Sequence, residues 1–151
     1  MVKTVDFWDA RAQGYAKSPV GDEEAYKEKL ATTQRYFDAD SQVVEFGCGT
    51  GTTAIHHAPF VQRIVATDIS SNMIEIARQK AVAADITNVE FHCTALEDFE
   101  AEDASFDVVM AHSILHLLED PEQAIKLSYR LLKPGGVFVT STACLGDSFS
   151  H

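Results

Sequence analysis

A chain of 151 residues, 46% hydrophobic and 23% charged, can bury the core of one ordinary domain and is too apolar for disorder to be its default. Twelve Lys and Arg against 23 Asp and Glu leave a formal charge of −11, a field that repels phosphate backbones and argues against nucleic acid as a partner. No run approaches the ~20 apolar residues of a membrane span, and the opening MVKTVDFWDARAQ lacks a signal-like apolar region. Three cysteines at unrelated spacings, Cys48, Cys93 and Cys144, fit reduced thiols in the cytoplasm, and no stretch has metal-ligand spacing.

Residues 1–40 read as an N-terminal helical segment, a candidate lid ahead of the main domain. DFWDARAQGYAKSPVG is a helix fragment that runs into a loop punctuated by Gly and Pro. GDEEAYKEKLATTQRYF then starts acidic and repeats Tyr26, Leu30, Thr33 and Phe37 at helical spacing. From residue 41 to 151 strands and helices alternate. QVVEFG is a strand and TGTTAIHHA a helix; RIVATDI is a strand and SNMIEIARQKAVAA a helix, with Met73, Ile76, Ala77 and Lys80 on one face. VEFHCT leads into the short acidic connection LEDFEAEDASF. DVVMAH precedes the helical SILHLLEDPEQAIKLSYRLL, and GGVFVTST is a strand after the turn signal KPGG. Such alternation predicts right-handed crossovers and a doubly wound, mainly parallel α/β sheet, with ligands bound beyond the carboxyl ends of its strands. Apolar runs such as VVEF and DVVMA suit strands covered on both faces.

Residues 43–54, VVEFGCGTGTTA, place Gly47, Gly49 and Gly51 between a strand and a helix, with Glu45 just ahead. Glycines there allow positive φ and let main chain approach a ligand where a Cβ would obstruct it. A tight turn with no ligand is the alternative. Asp68, at the end of the next strand, adds a second signal, because a carboxylate in that place can accept hydrogen bonds from both hydroxyls of a ribose. Its competing role, capping the following helix, is already filled by Ser70 and Ser71. Together the two signals indicate a nucleoside-containing cofactor. The dinucleotide fingerprint is G-x-G-x-x-G, whereas this loop is G-x-G-x-G, and a carboxylate ahead of it suits a cationic ligand better than a diphosphate.

VVEFGCGTG, ATDIS, FDVVMAHSILHLLEDP and LLKPGGVFVTS, in this order and over almost the whole chain, resemble the class I S-adenosylmethionine-dependent methyltransferases. The likeness is nearest to the small-molecule subgroup related to quinone-biosynthesis enzymes. The resemblance implies S-adenosylmethionine as cofactor and a Rossmann-like methyltransferase fold. It implies that Gly47, Cys48, Gly49 and Gly51 wrap the methionine part, with Glu45 fixing the loop and the amino group. Asp68 holds the ribose, and Ile69 and Met73 sandwich the adenine, core packing being the alternative for Met73. Thr94 stands where the family often has an acid, so Thr94, Ala95 and Leu96 are the expected adenine contacts. The Ala111 carbonyl is the expected acceptor for the methionine ammonium.

His112 and His116 follow the fourth strand of the alternation, where the family places its methyl-transfer channel, and are the catalytic candidates. Either could take a proton from a substrate hydroxyl or carbon acid, and structural packing is the alternative for both. His56 and His57 are expected to face away from the mouth, as surface or core residues. Phe7, Trp8 and Tyr15 could cover the cofactor and Tyr26 could face the substrate. The family usually continues with a further helix and a strand pair that end the sheet, and this chain stops at CLGDSFSH. An open edge on the last strand is therefore expected, and with it association into a homo-oligomer. The resulting expectation is methyl transfer from S-adenosylmethionine to a small-molecule O, N, C or S nucleophile in the cytoplasm, with no nucleic acid or membrane partner. A cofactor-binding protein without turnover and an NAD-type dehydrogenase are the alternatives, the latter disfavoured by the glycine spacing and Glu45.

Overall fold

The computed structural model describes residues 3–6, 19–112 and 120–141. In chain order the elements are β1 (Lys3–Asp6), α1 (Pro19–Gln34), β2 (Gln42–Phe46), α2 (Thr52–His57), β3 (Arg63–Asp68), α3 (Ser71–Ala83), β4 (Val89–Cys93), β5 (Phe106–His112), α4 (Pro121–Leu131) and β6 (Leu132–Ser141). The strands lie in the order β1-β6-β5-β2-β3-β4, and every pairing is parallel. Strands β2, β3 and β4 step one way across the sheet and β5 and β6 the other. The carboxyl ends of β2 and β5 therefore flank the switch point where such sheets open a crevice.

Alternate residues of each strand feed two cores, as the two-residue period of a strand requires. Val43, Ile64, Ala66, Val108, Met110, Val137 and Val139 pack beneath α2 and α3. Val44, Phe46, Val65, Val109, Ala111 and Phe138 pack beneath α4. Covered faces explain the unbroken apolar runs. Helix α1 lies on the first core, with Thr33 buried and Tyr26 and Leu30 half-buried, and Phe37 packs just beyond its end. Among the described residues no helix is long and apolar enough to cross a membrane.

The structure departs from the sequence reading in three elements. On α3 the buried stripe is Ile74, Ala77 and Ala81, while Met73 and Ile76 stay 41% and 43% exposed. Two adjacent apolar stripes run along this helix, and the small alanines allow the closer approach to the sheet. Lys80 reaches out to the glycine loop, donating to Thr52 Oγ1 (2.6 Å) and Thr50 Oγ1 (3.2 Å). The KPGG turn is absorbed into β6: Leu132 pairs with Phe106 and Val137 with Val108, so residues 133–136 bulge opposite Asp107. Gly135 takes φ +85 there, and a Cβ on Gly136 would meet Leu132 Cδ2 and the Lys133 carbonyl oxygen at 2.9 Å.

The third departure is at the sheet edge. Lys3–Asp6 pairs in parallel with Val137–Thr140, so the edge of the last strand, expected to be open, carries a neighbour. This strand belongs to the sheet of the domain expected to begin at residue 41, and the N-terminal segment is not helical throughout. KTVD is too short for a two-residue period to declare itself. Phe7, Trp8 and Tyr15 lie outside the described residues.

Candidate functional site

The end of β2 sets the site. Gly47, Gly49 and Gly51 take φ of 73°, 58° and 81°, the left-handed region in which an L side chain is strained. Cys48 N–H donates to the Thr67 carbonyl (2.9 Å) and Gly51 N–H to the Cys48 carbonyl (3.0 Å), which folds the loop back onto β3 before α2 begins. The last two glycines answer different needs. A Cβ on Gly51 would meet Ala77 Cβ at 2.9 Å and the Phe91 ring at 3.0 Å, so this position lets the loop pack on α3 and β4. A Cβ on Gly49 would meet nothing within 4 Å, so here the bare main chain faces open space.

Asp68 joins this loop to the next crossover. Its Oδ2 accepts from Gly49 N–H (2.8 Å) and its Oδ1 from Ser70 N–H (3.0 Å), while Ser70 Oγ caps α3 by accepting from Met73 N–H (3.2 Å). A carboxylate has about four lone-pair positions, so each oxygen can still accept from a ligand. Ile69 beside it is 76% exposed, and Met73 is exposed rather than packed in the core. Thr94 N–H donates to the Asp68 carbonyl (3.0 Å), Thr94 Oγ1 to the Ala95 carbonyl (3.2 Å), and Leu96 is buried in the turn that follows β4. Ala111 lies in β5, the strand that pairs with β2, and its buried carbonyl accepts from Thr140 Oγ1 (3.2 Å). The fold thus gathers Glu45, Gly47 and Cys48 around one cavity and ties Gly49 to Asp68. Gly51 packs on α3 and β4, Thr94 lines a hollow along β4, Leu96 lines another against α4, and Ala111 lies in β5 next to the switch point. His112 is the last residue of β5, where only its backbone is described; His116 lies outside the described residues.

Behind the glycine loop is a cavity of about 280 Å³. Tyr26, Lys29, Leu30 and Thr33 of α1 wall it on one side, and Glu45, Gly47, Cys48, Thr53 and His57 on the other. Two hydrogen bonds tie α1 to α2 across it: Tyr26 Oη with Thr53 Oγ1 (2.8 Å) and Gln34 Nε2 with His57 Nδ1 (3.2 Å). Glu45 Oε1 and His57 Nε2 are buried with no partner among the described residues. Burial, then the nearby Asp68 charge, raises the Glu45 carboxyl to about 8, so it is largely protonated at neutral pH. Burial, then His56, lowers His57 to about 4 and keeps the ring neutral. The Cys48 thiol is pushed up by burial and then by Glu45 and Asp68, which makes it an inert wall rather than a nucleophile. Sequence reasoning placed His57 away from the mouth. The signal that could have found it is its four-residue spacing from Thr53, which puts both on the inner face of α2. Two other hollows, of about 320 and 500 Å³, lie against α4 and along the outer edge of β4, with exposed charged residues in their walls. Among the described residues no group of three or more His, Cys, Asp or Glu is placed to hold a metal ion.

A family model described as a methyltransferase domain matches residues 44–140, which take in the glycine loop, Asp68 and all of β6 but Ser141. The chain is 31% identical over 101 residues to the uncharacterized methyltransferase YcgJ of Bacillus subtilis, covering 67% of this chain and 40% of that protein. It is 32% identical over 98 residues to the tRNA 5-carboxymethoxyuridine methyltransferase of Escherichia coli (64% and 38% covered). It is 31% identical over 105 residues to a ubiquinone biosynthesis O-methyltransferase of Xanthomonas oryzae (69% and 44% covered). The chain therefore spans about two fifths of the length of these relatives. Among solved structures, YcgJ superposes with a TM-score of 0.71 at 28% identity (75% and 50% covered). The cyclase SpnF superposes with a TM-score of 0.71 at 26% identity (77% and 44% covered). A Haemonchus contortus N-methyltransferase in complex with S-adenosylhomocysteine superposes with a TM-score of 0.68 at 26% identity (76% and 28% covered).

Proposed function

The chain belongs to the methyltransferase domain family, and from that membership we propose that it carries a methyl group from S-adenosylmethionine to a small-molecule acceptor. The observation that carries this reading is the pairing of bare main chain at Gly49 with a buried Glu45 carboxyl whose Oε1 has no partner among the described residues. Together they fit a ligand that needs close backbone approach and brings a positive charge. When bound, S-adenosylmethionine supplies a methyl group on a sulfonium sulfur, which a nucleophile held in line can take without a general base. Asp68 receives the ribose hydroxyls on the lone pairs that Gly49 and Ser70 leave. Ile69 and Met73 flank the adenine, and Thr94, Ala95 and Leu96 meet its edge. Gly47, Cys48, Gly49 and Gly51 offer main chain to the methionine part. Glu45 ionises against the ammonium, and the Ala111 carbonyl accepts beside its bond from Thr140. His112 and His116 are the candidates to take a proton where the acceptor is a hydroxyl or carbon acid. The lid role of residues 1–40 rests on α1, whose Tyr26 and Lys29 wall the cavity.

The charge of −11 supports a small-molecule acceptor, and the free thiols of Cys48 and Cys93 support a cytoplasmic setting. The likeness to a tRNA methyltransferase marks RNA as the acceptor class to test against. A second reading, ligand binding without methyl transfer, is favoured by the cyclase SpnF on the same fold. Incubation with S-adenosylmethionine labelled in its methyl group, alongside a metabolite extract and bulk tRNA, separates them. The expected label is in a small molecule. Label in tRNA overturns the acceptor class, and label in neither fraction favours the second reading.

A further inference from the structure

The first half of the glycine loop is tied to β3, where the Thr67 carbonyl holds Cys48 and the Asp68 carboxylate holds Gly49. The second half is held by a side chain with no part in the reading above. After Gly49 the chain passes Thr50 and Gly51 into α2, a helix of six residues whose N-cap, Gly51, has no side chain to secure the first turn. Lys80 reaches this stretch from α3. Its Nζ donates to Thr52 Oγ1 (2.6 Å) and Thr50 Oγ1 (3.2 Å), so the ammonium straddles Gly51. Three residues earlier on α3, Ala77 lies against Gly51, where an added Cβ would come within 2.9 Å of it. Helix α3 thus meets the loop twice, by close packing at Ala77 and by a forked hydrogen bond from Lys80.

Neither partner of that ammonium is an acid. The chain has 23 Asp and Glu, yet among the described residues Lys80 meets two neutral hydroxyls and no carboxylate. A cation beside a helix N-terminus also gains nothing from the dipole of that helix. What the placement does is hold the loop. Three glycines at positive φ leave this backbone with unusual conformational freedom to lose. A ligand that needs bare main chain at Gly49 binds with an apparent affinity that scales with the fraction of molecules whose loop is already in place. We propose that Lys80 is a positioning residue for the cofactor: by bridging Thr50 and Thr52 it holds the glycine loop, before any ligand arrives, in the shape that presents Gly49. Asp68 secures the loop from the side of β3 and Lys80 from the side of α3. The effect of Lys80 on cofactor affinity rests on the function proposed above; its effect on the ligand-free loop does not.

The test pairs amide hydrogen exchange of the ligand-free protein with calorimetric titration of S-adenosylhomocysteine. In Lys80→Met, which keeps most of the stem and loses the ammonium, the Gly49 and Gly51 amides exchange about three- to tenfold faster, the scale of one net hydrogen bond. The amides of Val44 and Val65 in the core strands keep their rates, so the change is local. Binding of S-adenosylhomocysteine weakens by about the same three- to tenfold. Thr52→Val leaves Lys80 and its charge in place, removes the nearer acceptor and moves both readouts the same way, and Thr52→Ser, which returns the hydroxyl, restores them. Combining Thr52→Val with Lys80→Met adds little to either change alone. Lys80 also occupies the last turn of α3, and a role confined to that helix predicts a silent Thr52→Val. A silent Thr52→Val, full additivity of the pair, or unmoved loop amides in Lys80→Met overturns the positioning role. Should Lys80→Met fail to fold, Thr52→Val and Thr52→Ser decide the matter by themselves. A wild-type protein that does not bind S-adenosylhomocysteine overturns the cofactor reading, while exchange at Gly49 and Gly51 still decides whether Lys80 holds the loop.

Discussion

Asp68 carries two loads, because the carboxylate assigned to the ribose also pins Gly49 and Ser70 through their amides. Asp68→Ala should therefore weaken S-adenosylhomocysteine binding and lower folding stability, each by about 1–3 kcal/mol, the scale of hydrogen bonds to a charged group. Asp68→Asn keeps one acceptor oxygen and should fall between; calorimetry and urea unfolding of the two variants check this. The glycines separate in the opposite way. Gly49→Ala strains a φ of 58° but meets open space, so its main loss should be in ligand affinity. Gly51→Ala adds contacts of 2.9 and 3.0 Å with Ala77 and Phe91 and should unfold at the lower denaturant midpoint of the two. The buried pair sets the pH response. Glu45, raised from 4.5 to about 8, contributes stability that is full below pH 4.5 and lost as pH rises through 8. His57, lowered from 6.5 to about 4, contributes stability that is full above pH 6.5 and lost as pH falls through 4. Glu45→Gln should flatten the alkaline limb of stability against pH and leave the acid limb in place, as urea unfolding across that range would show.

Among the elements, those with a strong period and a chemical reason for their residues were legible in the sequence. The strands around the switch point declare themselves as apolar runs because both faces are covered, and VVEFGCGTG declares its loop because three left-handed positions exclude other residues. Legibility stopped where the decision is made by distant packing. Which of two stripes of α3 turns inward depends on how closely Ala77 and Ala81 let the helix approach. The bulge at 133–136 depends on β5 pairing on both sides of it, and β1 depends on the free edge of β6. His57 was hidden for the same reason, since only the placement of α1 makes a cavity behind the loop. The α3 assignment has a direct check. Ile74→Ala, at 1% exposure, should cost about 2–5 kcal/mol in urea unfolding, and Ile76→Ala, at 43%, well under half of that.

At the scale of the whole molecule, the strand order brings the ends of β2, β3, β4 and β5 to one rim of the sheet, and the site is a property of that rim rather than of any one motif. The central claim is that the rim embraces a cationic nucleoside, and titration calorimetry with S-adenosylhomocysteine and, separately, NAD tests it most directly. The account predicts a single saturable site for S-adenosylhomocysteine, tighter at pH 8.5 than at pH 6.5 because Glu45 must ionise, and no heat with NAD. No heat with S-adenosylhomocysteine at saturating concentration, or binding of NAD in its place, would contradict it.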